Sequence, residues 1–160
     1  MQTNLAVVMQ QLQETPVVRD VWRGTFTAGD HIRQGDVLLV CPCSTGYSTV
    51  PTVRGNRPFT YEPSEHVLAR GGETVKVAIG EGEGSQHVLD LTGVPENGVV
   101  VYAPKWKQDT LGPCIEIQPG CKALLTHPRH RHFELAAGTE PLRLQVVYEM
   151  DFLTNDRVED

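Results

Sequence analysis

The sequence has few aromatic residues, few basic residues and no long apolar run, and each shortage argues against a class of function. Phe, Trp and Tyr make up 6% of the 160 residues, which leaves little material for the stacking platforms of proteins that bind single-stranded nucleic acid. Lys and Arg number 14 against 20 Asp and Glu, for a net charge of −6, whereas a nucleic-acid binder needs a basic surface. No apolar stretch approaches the roughly 20 residues of a membrane-spanning helix. We therefore expect neither a nucleic-acid partner nor a membrane partner.

The first residues, MQTNLAVVMQQLQ, lack the basic start and the unbroken apolar core of a secretory signal. We therefore expect a chain that is not secreted through a signal peptide and that stays in a reducing compartment.

The four cysteines are Cys41, Cys43, Cys114 and Cys121. A hairpin predicted at Pro119-Gly120 would separate Cys114 and Cys121 by roughly 13 Å, beyond the ~7 Å between Cα atoms that a disulfide allows. The C-x-C and C-x6-C spacings also differ from the regular pairs of zinc sites. The sequence thus predicts free thiols, with a metal site and disulfides as the alternatives.

Residues 1–16 form a distinct segment, which we call the arm. Its apolar stripe consists of Leu5, Val8, Met9 and Leu12. These positions follow the i, i+3, i+4, i+7 spacing of one helix face, and Pro16 would end the helix. A helix this short is marginal in water, so it must dock, either on the core of its own chain or on a partner.

Residues 17–153 predict a single β-domain, because short apolar runs alternate with clusters of Gly, Pro, Asn and Asp. The runs are VVRDVWR (17–23), DVLLVC (36–41), ETVKVAI (73–79), HVLDL (87–91), VVVY (99–102), CIEI (114–117), KALLT (122–126), FEL (133–135) and LRLQVVYEMDF (142–152). Asn97-Gly98 and Pro119-Gly120 predict two hairpins. The fold class indicated is all-β, an antiparallel β-sandwich or jelly-roll-like barrel with a short N-terminal helix or arm. Residues 154–160 form a polar C-terminal tail.

The last run shows the clearest strand pattern. One face carries Leu142, Leu144, Val146, Tyr148, Met150 and Phe152, and the other carries Arg143, Gln145, Val147, Glu149 and Asp151. This alternation predicts an antiparallel strand that is buried on one face only.

Residues 43–65 and 80–86 contain no such runs and are predicted to be long loops, which in a compact domain are usually functional. The first loop is rich in Arg and aromatic residues, which are favoured in protein interfaces. Its candidate contact residues are Tyr47, Arg54, Arg57, Phe59 and Tyr61. Local packing on the chain's own core is the alternative role for them.

The segment HPRHRHFEL (127–135) holds three of the six histidines. In a strand, His130, His132 and Glu134 share one side while Phe133 and Leu135 share the other, and the apolar side is expected to face the core. The histidines would then face solvent or a partner. A transition-metal site with His127, or an anion site using the neighbouring arginines, remains the alternative.

The stretch HRHFELAAG resembles part of the metal-binding motif of cupins, small β-barrels that carry HxH, then a glutamate, then a glycine. The resemblance implies a metal-dependent enzyme with zinc, iron or manganese held by His127, His130, His132 and Glu134. The sequence departs from cupins in that its glutamate follows HxH too closely and no histidine follows His132.

In composition and layout the chain resembles the small β-rich decoration or cement proteins of bacteriophage heads. This resemblance implies a non-enzymatic structural protein without a cofactor, found in the virion or the host cytoplasm. It also implies binding to a capsid or other large assembly through the arm and loops, as a homo-oligomer with a trimer favoured. A glycan-binding module that stacks sugars on Trp22, Tyr102 or Trp106 is a further alternative.

Overall fold

The computed structural model describes residues 21–42, 47–52, 55–78, 86–105 and 110–148, and every regular element in these ranges is a β-strand. In chain order they are β1 (Val21–Arg23), β2 (His31–Gln34), β3 (Val37–Val40), β4 (Tyr47–Thr52), β5 (Gly55–Thr60), β6 (Pro63–Arg70), β7 (Thr74–Lys76), β8 (Val88–Asp90), β9 (Val99–Pro104), β10 (Leu111–Ile117), β11 (Lys122–Thr126), β12 (His132–Ala136) and β13 (Leu142–Tyr148). The helix predicted in the arm, residues 1–16, and the tail at 154–160 both lie outside the described residues. Within those ranges no helix is long and apolar enough to cross a membrane.

The strands form two main sheets and a separate hairpin. The five-stranded sheet has the order β1-β12-β11-β8-β7, the six-stranded sheet has the order β2-β3-β13-β10-β9-β6, and β4 pairs with β5. All pairs in these sheets are antiparallel except β1 with β12, which is parallel. The architecture is therefore all-β and sandwich-like, as the alternating runs predicted.

The main core lies between the two sheets, where alternate residues of each strand meet. Its largest fully buried apolar side chains are Leu39, Leu89, Leu91, Ile115, Ile117, Leu125, Leu135 and Leu144. On β13 the inward face consists of Leu142, Leu144 and Val146, with Tyr148 packed at its edge. The predicted inward face of this strand is confirmed as far as the described residues extend.

The six-stranded sheet is also buried on part of its outer face. All four residues of β3 are buried, and Leu38, Val40 and Val147 form a second apolar cluster with Phe59 of β5. Phe59 thus covers this face, which we call the covered face. The expectation that β13 is buried on one face only is wrong, because Gln145 and Val147 are also inaccessible. Phe59 of the β4–β5 hairpin takes the place of solvent here.

Polar groups beneath the covered face are satisfied internally. The Gln145 amide nitrogen donates to the carbonyl oxygen of Gly112 at 2.8 Å, and the Cys114 thiol donates to Oε1 of Gln145 at 3.3 Å. The Tyr61 hydroxyl donates to the carbonyl oxygen of Ile115 at 3.1 Å. Burial raises the pKa of Cys114 to about 12 and also raises the pKa of Tyr61. Cys114 is therefore a free thiol that stays protonated.

The two predicted hairpins are wrong, although both turns exist. Asn97-Gly98 lies between β8 and β9, and Pro119-Gly120 lies between β10 and β11, but the strands in each case belong to different sheets. A Cβ at Gly98 would lie 2.8 Å from the Cys121 sulfur, so this glycine allows close packing between the layers. Gly120 has a φ of 80°, a conformation that glycine adopts without strain. The same dipeptides therefore turn the chain from one layer to the other.

The loop predicted over residues 43–65 is also wrong in part, since it contains β4, β5 and the start of β6. Its strands include Pro51 and Pro58 and show no apolar alternation, which is why the sequence pattern missed them.

Candidate functional site: a buried histidine–carboxylate cluster

Five polar side chains meet at one end of the sandwich, and we call them the histidine cluster. They are Gln34, Asp36, His87, His127 and His130. Gln34 ends β2 and Asp36 lies in the turn before β3, while His87 precedes β8 in the opposite sheet. His127 and His130 lie between β11 and β12. The cluster therefore joins both sheets, and its first four members are almost completely buried.

The buried imidazole of His87 has a polar partner on each side. Its Nδ1 lies 2.8 Å from Oε1 of Gln34, and its Nε2 lies 2.7 Å from Oδ1 of Asp36. The Gln34 amide nitrogen donates to the carbonyl oxygens of Leu125 at 3.2 Å and Arg131 at 2.8 Å. These two bonds orient the amide so that its oxygen faces His87.

The orientation of Gln34 determines where the protons of His87 lie. Because Oε1 can only accept, Nδ1 of His87 must carry a hydrogen. A neutral imidazole with that hydrogen would direct the lone pair of Nε2 against the Asp36 carboxylate, and the two would repel. A proton must therefore lie between His87 and Asp36, so that the pair is either imidazolium with carboxylate or imidazole with carboxylic acid. In both forms the buried pair has no net charge.

Two further rings extend the cluster towards the surface. The His127 ring centroid lies 4.5 Å from that of His87 and 4.4 Å from that of His130. The backbone N–H of Arg129 donates to Nδ1 of His127 at 3.1 Å, so this nitrogen carries no hydrogen. His132 lies beside the cluster, with Nε2 3.2 Å from the His127 carbonyl oxygen.

The predicted metal ligands therefore do not meet at one place: the histidines lie in or beside the histidine cluster, and Glu134 does not. Phe133 and Leu135 are buried in the core, as expected, and Glu134 lies on the outer face of the five-stranded sheet. Its oxygens lie 2.6 Å from Nε of Arg23 and 2.9 Å from Nζ of Lys122. The expected alternation does not extend back to His130, because β12 begins at His132. Across the residues that the structure describes, no group of three or more His, Cys, Asp or Glu could hold a metal ion.

Glu134 gives a prediction about acid stability. The hydrogen bond from Lys122 and then that from Arg23 lower the pKa of Glu134. An acid whose pKa is lower in the folded state adds stability above its unfolded pKa and loses it as the pH falls through the folded pKa. Glu134→Gln is therefore expected to lower the free energy of unfolding by about 0.2–1 kcal/mol at pH 7. The effect is small because Arg23 and Lys122 are exposed to solvent. Urea titrations should show this difference disappearing as the pH falls below about 4, near the unfolded pKa of glutamate.

A matched control for that experiment is Glu140→Gln, which changes an exposed carboxylate of the β12–β13 loop. If the cost of Glu134→Gln were the same at pH 7 and in acid, its ion pairs would not be its source.

The interface residues predicted from the sequence have mixed positions. Phe59 and Tyr61 pack on the chain's own covered face, while Tyr47 and Arg57 lie on β4 and β5. Arg54 and the arm residues Leu5, Val8, Met9 and Leu12 lie outside the described residues. Of the aromatics proposed for glycans, Trp22 packs against Phe26 and Phe133, Tyr102 lies on β9, and Trp106 is not described.

Sequence reasoning missed Gln34, Asp36 and His87 as site residues. His87 lies 53 positions from Gln34 and 51 positions from Asp36 in the sequence, so no local spacing connects them. The only signal was a polar residue directly before an apolar strand, as in DVLLV and HVLDL. Only the pairing of the two sheets brings these residues together.

The chemistry open to the histidine cluster follows from its burial. A general base must reach a substrate within hydrogen-bond distance, and both His87 and Asp36 are closed to solvent, at 0% and 1% exposure. The pair therefore forms a buried polar contact between the two sheets. Two open cavities lie elsewhere, one of about 800 Å³ beside Phe26 and Tyr61 and one of about 520 Å³ beside Val21 and Lys122.

Comparison with known proteins found no matching family model, no matching curated protein and no matching solved structure.

Proposed function

We propose that this protein is a non-enzymatic structural protein that stabilises a large assembly, such as a virus capsid, through its arm and loops. The observation that carries the proposal is the attachment of β1. Val21–Arg23 pairs in parallel with β12 at the edge of the five-stranded sheet. Trp22 packs between Phe26 and Phe133, with ring centroids 5.3 and 5.8 Å away. The chain is therefore attached to the sandwich from Val21 onward.

A fixed point of attachment favours binding by the arm. Ordering a segment costs conformational entropy, and a rigid anchor at one end reduces that cost. The apolar stripe must be buried somewhere, and a helix this short cannot bury it alone. Repetition across many copies in an assembly would multiply a modest gain from each arm. The proposal includes a homo-oligomer, with a trimer favoured, and no cofactor.

The strand order supports a finer fold, a jelly-roll-like barrel. β6 pairs with β9 in one sheet while β7 pairs with β8 in the other. In the same way β10 pairs with β13 and β11 with β12. Each set forms one long hairpin folded across both layers, which is the arrangement from which jelly rolls are built.

Deletion of residues 1–15 tests the proposal. We expect the full chain to associate in solution and the shortened chain to sediment as a monomer, since the apolar stripe is lost. The cooperative thermal transition of the sandwich should remain, because the strands from β1 onward supply both sheets and a buried core between them. Sedimentation velocity and circular dichroism would measure the two effects.

Single substitutions provide the matched control. Met9→Asp places a charge on the stripe and should dissociate the oligomer, whereas Gln10→Asp places the same charge off the stripe and should not. If the chain without residues 1–15 kept the same oligomeric state, the role of the arm would be contradicted.

A further inference from the structure

A cavity of about 520 Å³ opens on the outer face of the five-stranded sheet, and we call it the sheet cavity. Its apolar walls come from Val21 on β1, Leu124 on β11 and Val94 after β8. Leu124 points outward because its neighbours on β11, Ala123 and Leu125, are buried in the core. This volume lies in the range of cavities that bind a ligand or a short segment.

The rim of the sheet cavity carries two positive and two negative side chains, which offset one another. Arg23 and Lys122 both contact Glu134, and Asp90 lies on the neighbouring strand. An occupant therefore needs an apolar face and little charge of its own. This is the pattern of a groove that receives an amphipathic helix through anchors at i, i+3, i+4 and i+7.

We propose that the sheet cavity receives the apolar stripe of the arm from a second copy of the chain. This inference rests on the proposed function and names the surface that the arm binds. The stripe has the required anchor spacing, and the arm carries one charged side chain, Glu14. Few charges would thus lose their water on binding.

The direction of β1 favours the arm of a second copy over the chain's own arm. β1 runs parallel to β12, from Val21 beside His132 to Arg23 beside Glu134. The cavity continues past Glu134 to Lys122, which pairs with the last residue of β12. β1 therefore enters at the Val21 end of the cavity and runs from there towards the Lys122 end.

The chain's own arm precedes Val21 in the sequence. It would therefore have to reverse its direction to fill the cavity, whereas the arm of a second copy needs no such reversal.

A native thiol allows a direct test. Cys121 is a free, half-buried cysteine that lines the sheet cavity, whereas Cys114 is fully buried with its pKa raised to about 12. Met9→Cys places a new thiol on the stripe. After mild oxidation with diamide, which takes up the two electrons and two protons released, we expect a disulfide between position 9 and Cys121. Mixing isotope-labelled and unlabelled copies would show whether the linked peptides come from different chains.

Two variants control the test. Gln11→Cys puts the thiol on the opposite side of the predicted helix and should give at least tenfold less of the link to Cys121. Adding Cys121→Ser to Met9→Cys should abolish it. A linked pair formed within one chain, or the absence of any link to Cys121, would overturn the proposal.

The result is separable from the test of the proposed function. If deletion of residues 1–15 dissociates the oligomer but Met9→Cys does not link to Cys121, the arm still assembles the protein and only its docking surface is wrong. If the deletion leaves the oligomer intact, the proposed function fails whatever the link shows.

Discussion

Asp36→Ala is expected to lower the free energy of unfolding by about 3–5 kcal/mol, the usual cost of removing one partner from a buried ion pair. Asp36 is the group that shares a proton with Nε2 of His87 at 2.7 Å, and neither side chain is accessible to solvent. Without the carboxylate, His87 must either bury an unpaired charge or lose a proton and a hydrogen bond. Urea unfolding at pH 7, followed by tryptophan fluorescence, would measure the loss.

The matched control is Glu65→Ala, which removes an exposed carboxylate from β6 and should change stability by no more than about 0.5 kcal/mol. A double variant, Asp36→Leu with His87→Phe, removes the whole pair. It should cost less than Asp36→Ala alone, because no buried charge is left without its partner. If the single and double variants lost stability equally, the shared proton would not be the source of the effect.

Phe59→Ala is expected to lower the free energy of unfolding by about 3 kcal/mol, the lower end for truncation of a buried phenylalanine. Phe59 is 7% exposed and packs on Leu38, Val40 and Val147, so its removal opens the covered face. The lower end applies because this second cluster is small. Chemical denaturation would give the free energy, and sedimentation would give the oligomeric state.

This substitution separates two roles for the segment at 43–65. If Phe59 covers its own sheet, stability falls while association is unchanged. If it acts in an interface, association falls and the stability of the isolated chain is nearly unaffected. Thr60→Ala, at the neighbouring exposed position of β5, is the control and should cost little in either measurement.

Most strand positions could be predicted from the sequence because each strand contributes a short apolar face to one core. The run at 36–41 became β3 and the run at 142–152 contains β13, with Leu144 and Val146 inward as expected. The strands that escaped prediction were β2, β4, β5 and β6, which lie at sheet edges or in the hairpin. Their sequences, HIRQ, YSTVPT, GNRPFT and PSEHVLAR, contain few apolar residues, so their local patterns carry little signal.

The candidate site was much less predictable. The sequence drew attention to residues 127–135, and the structure does place His127 and His130 in a polar cluster. It could not indicate His87 or Asp36, since their contact depends on the alignment of two sheets. Nor could it show that Glu134 pairs with Lys122 and Arg23 instead of joining the histidines.

The sequence by itself determined the all-β class and the inward faces of the main strands. These properties depend on the local alternation of apolar and polar residues, which any one segment carries within itself. The tertiary structure alone decided which strands pair, how Asn97-Gly98 and Pro119-Gly120 turn between layers, and that His87 shares a proton with Asp36. These features depend on contacts between residues that are far apart in the sequence. Such contacts stabilise the fold only after the two sheets have packed together.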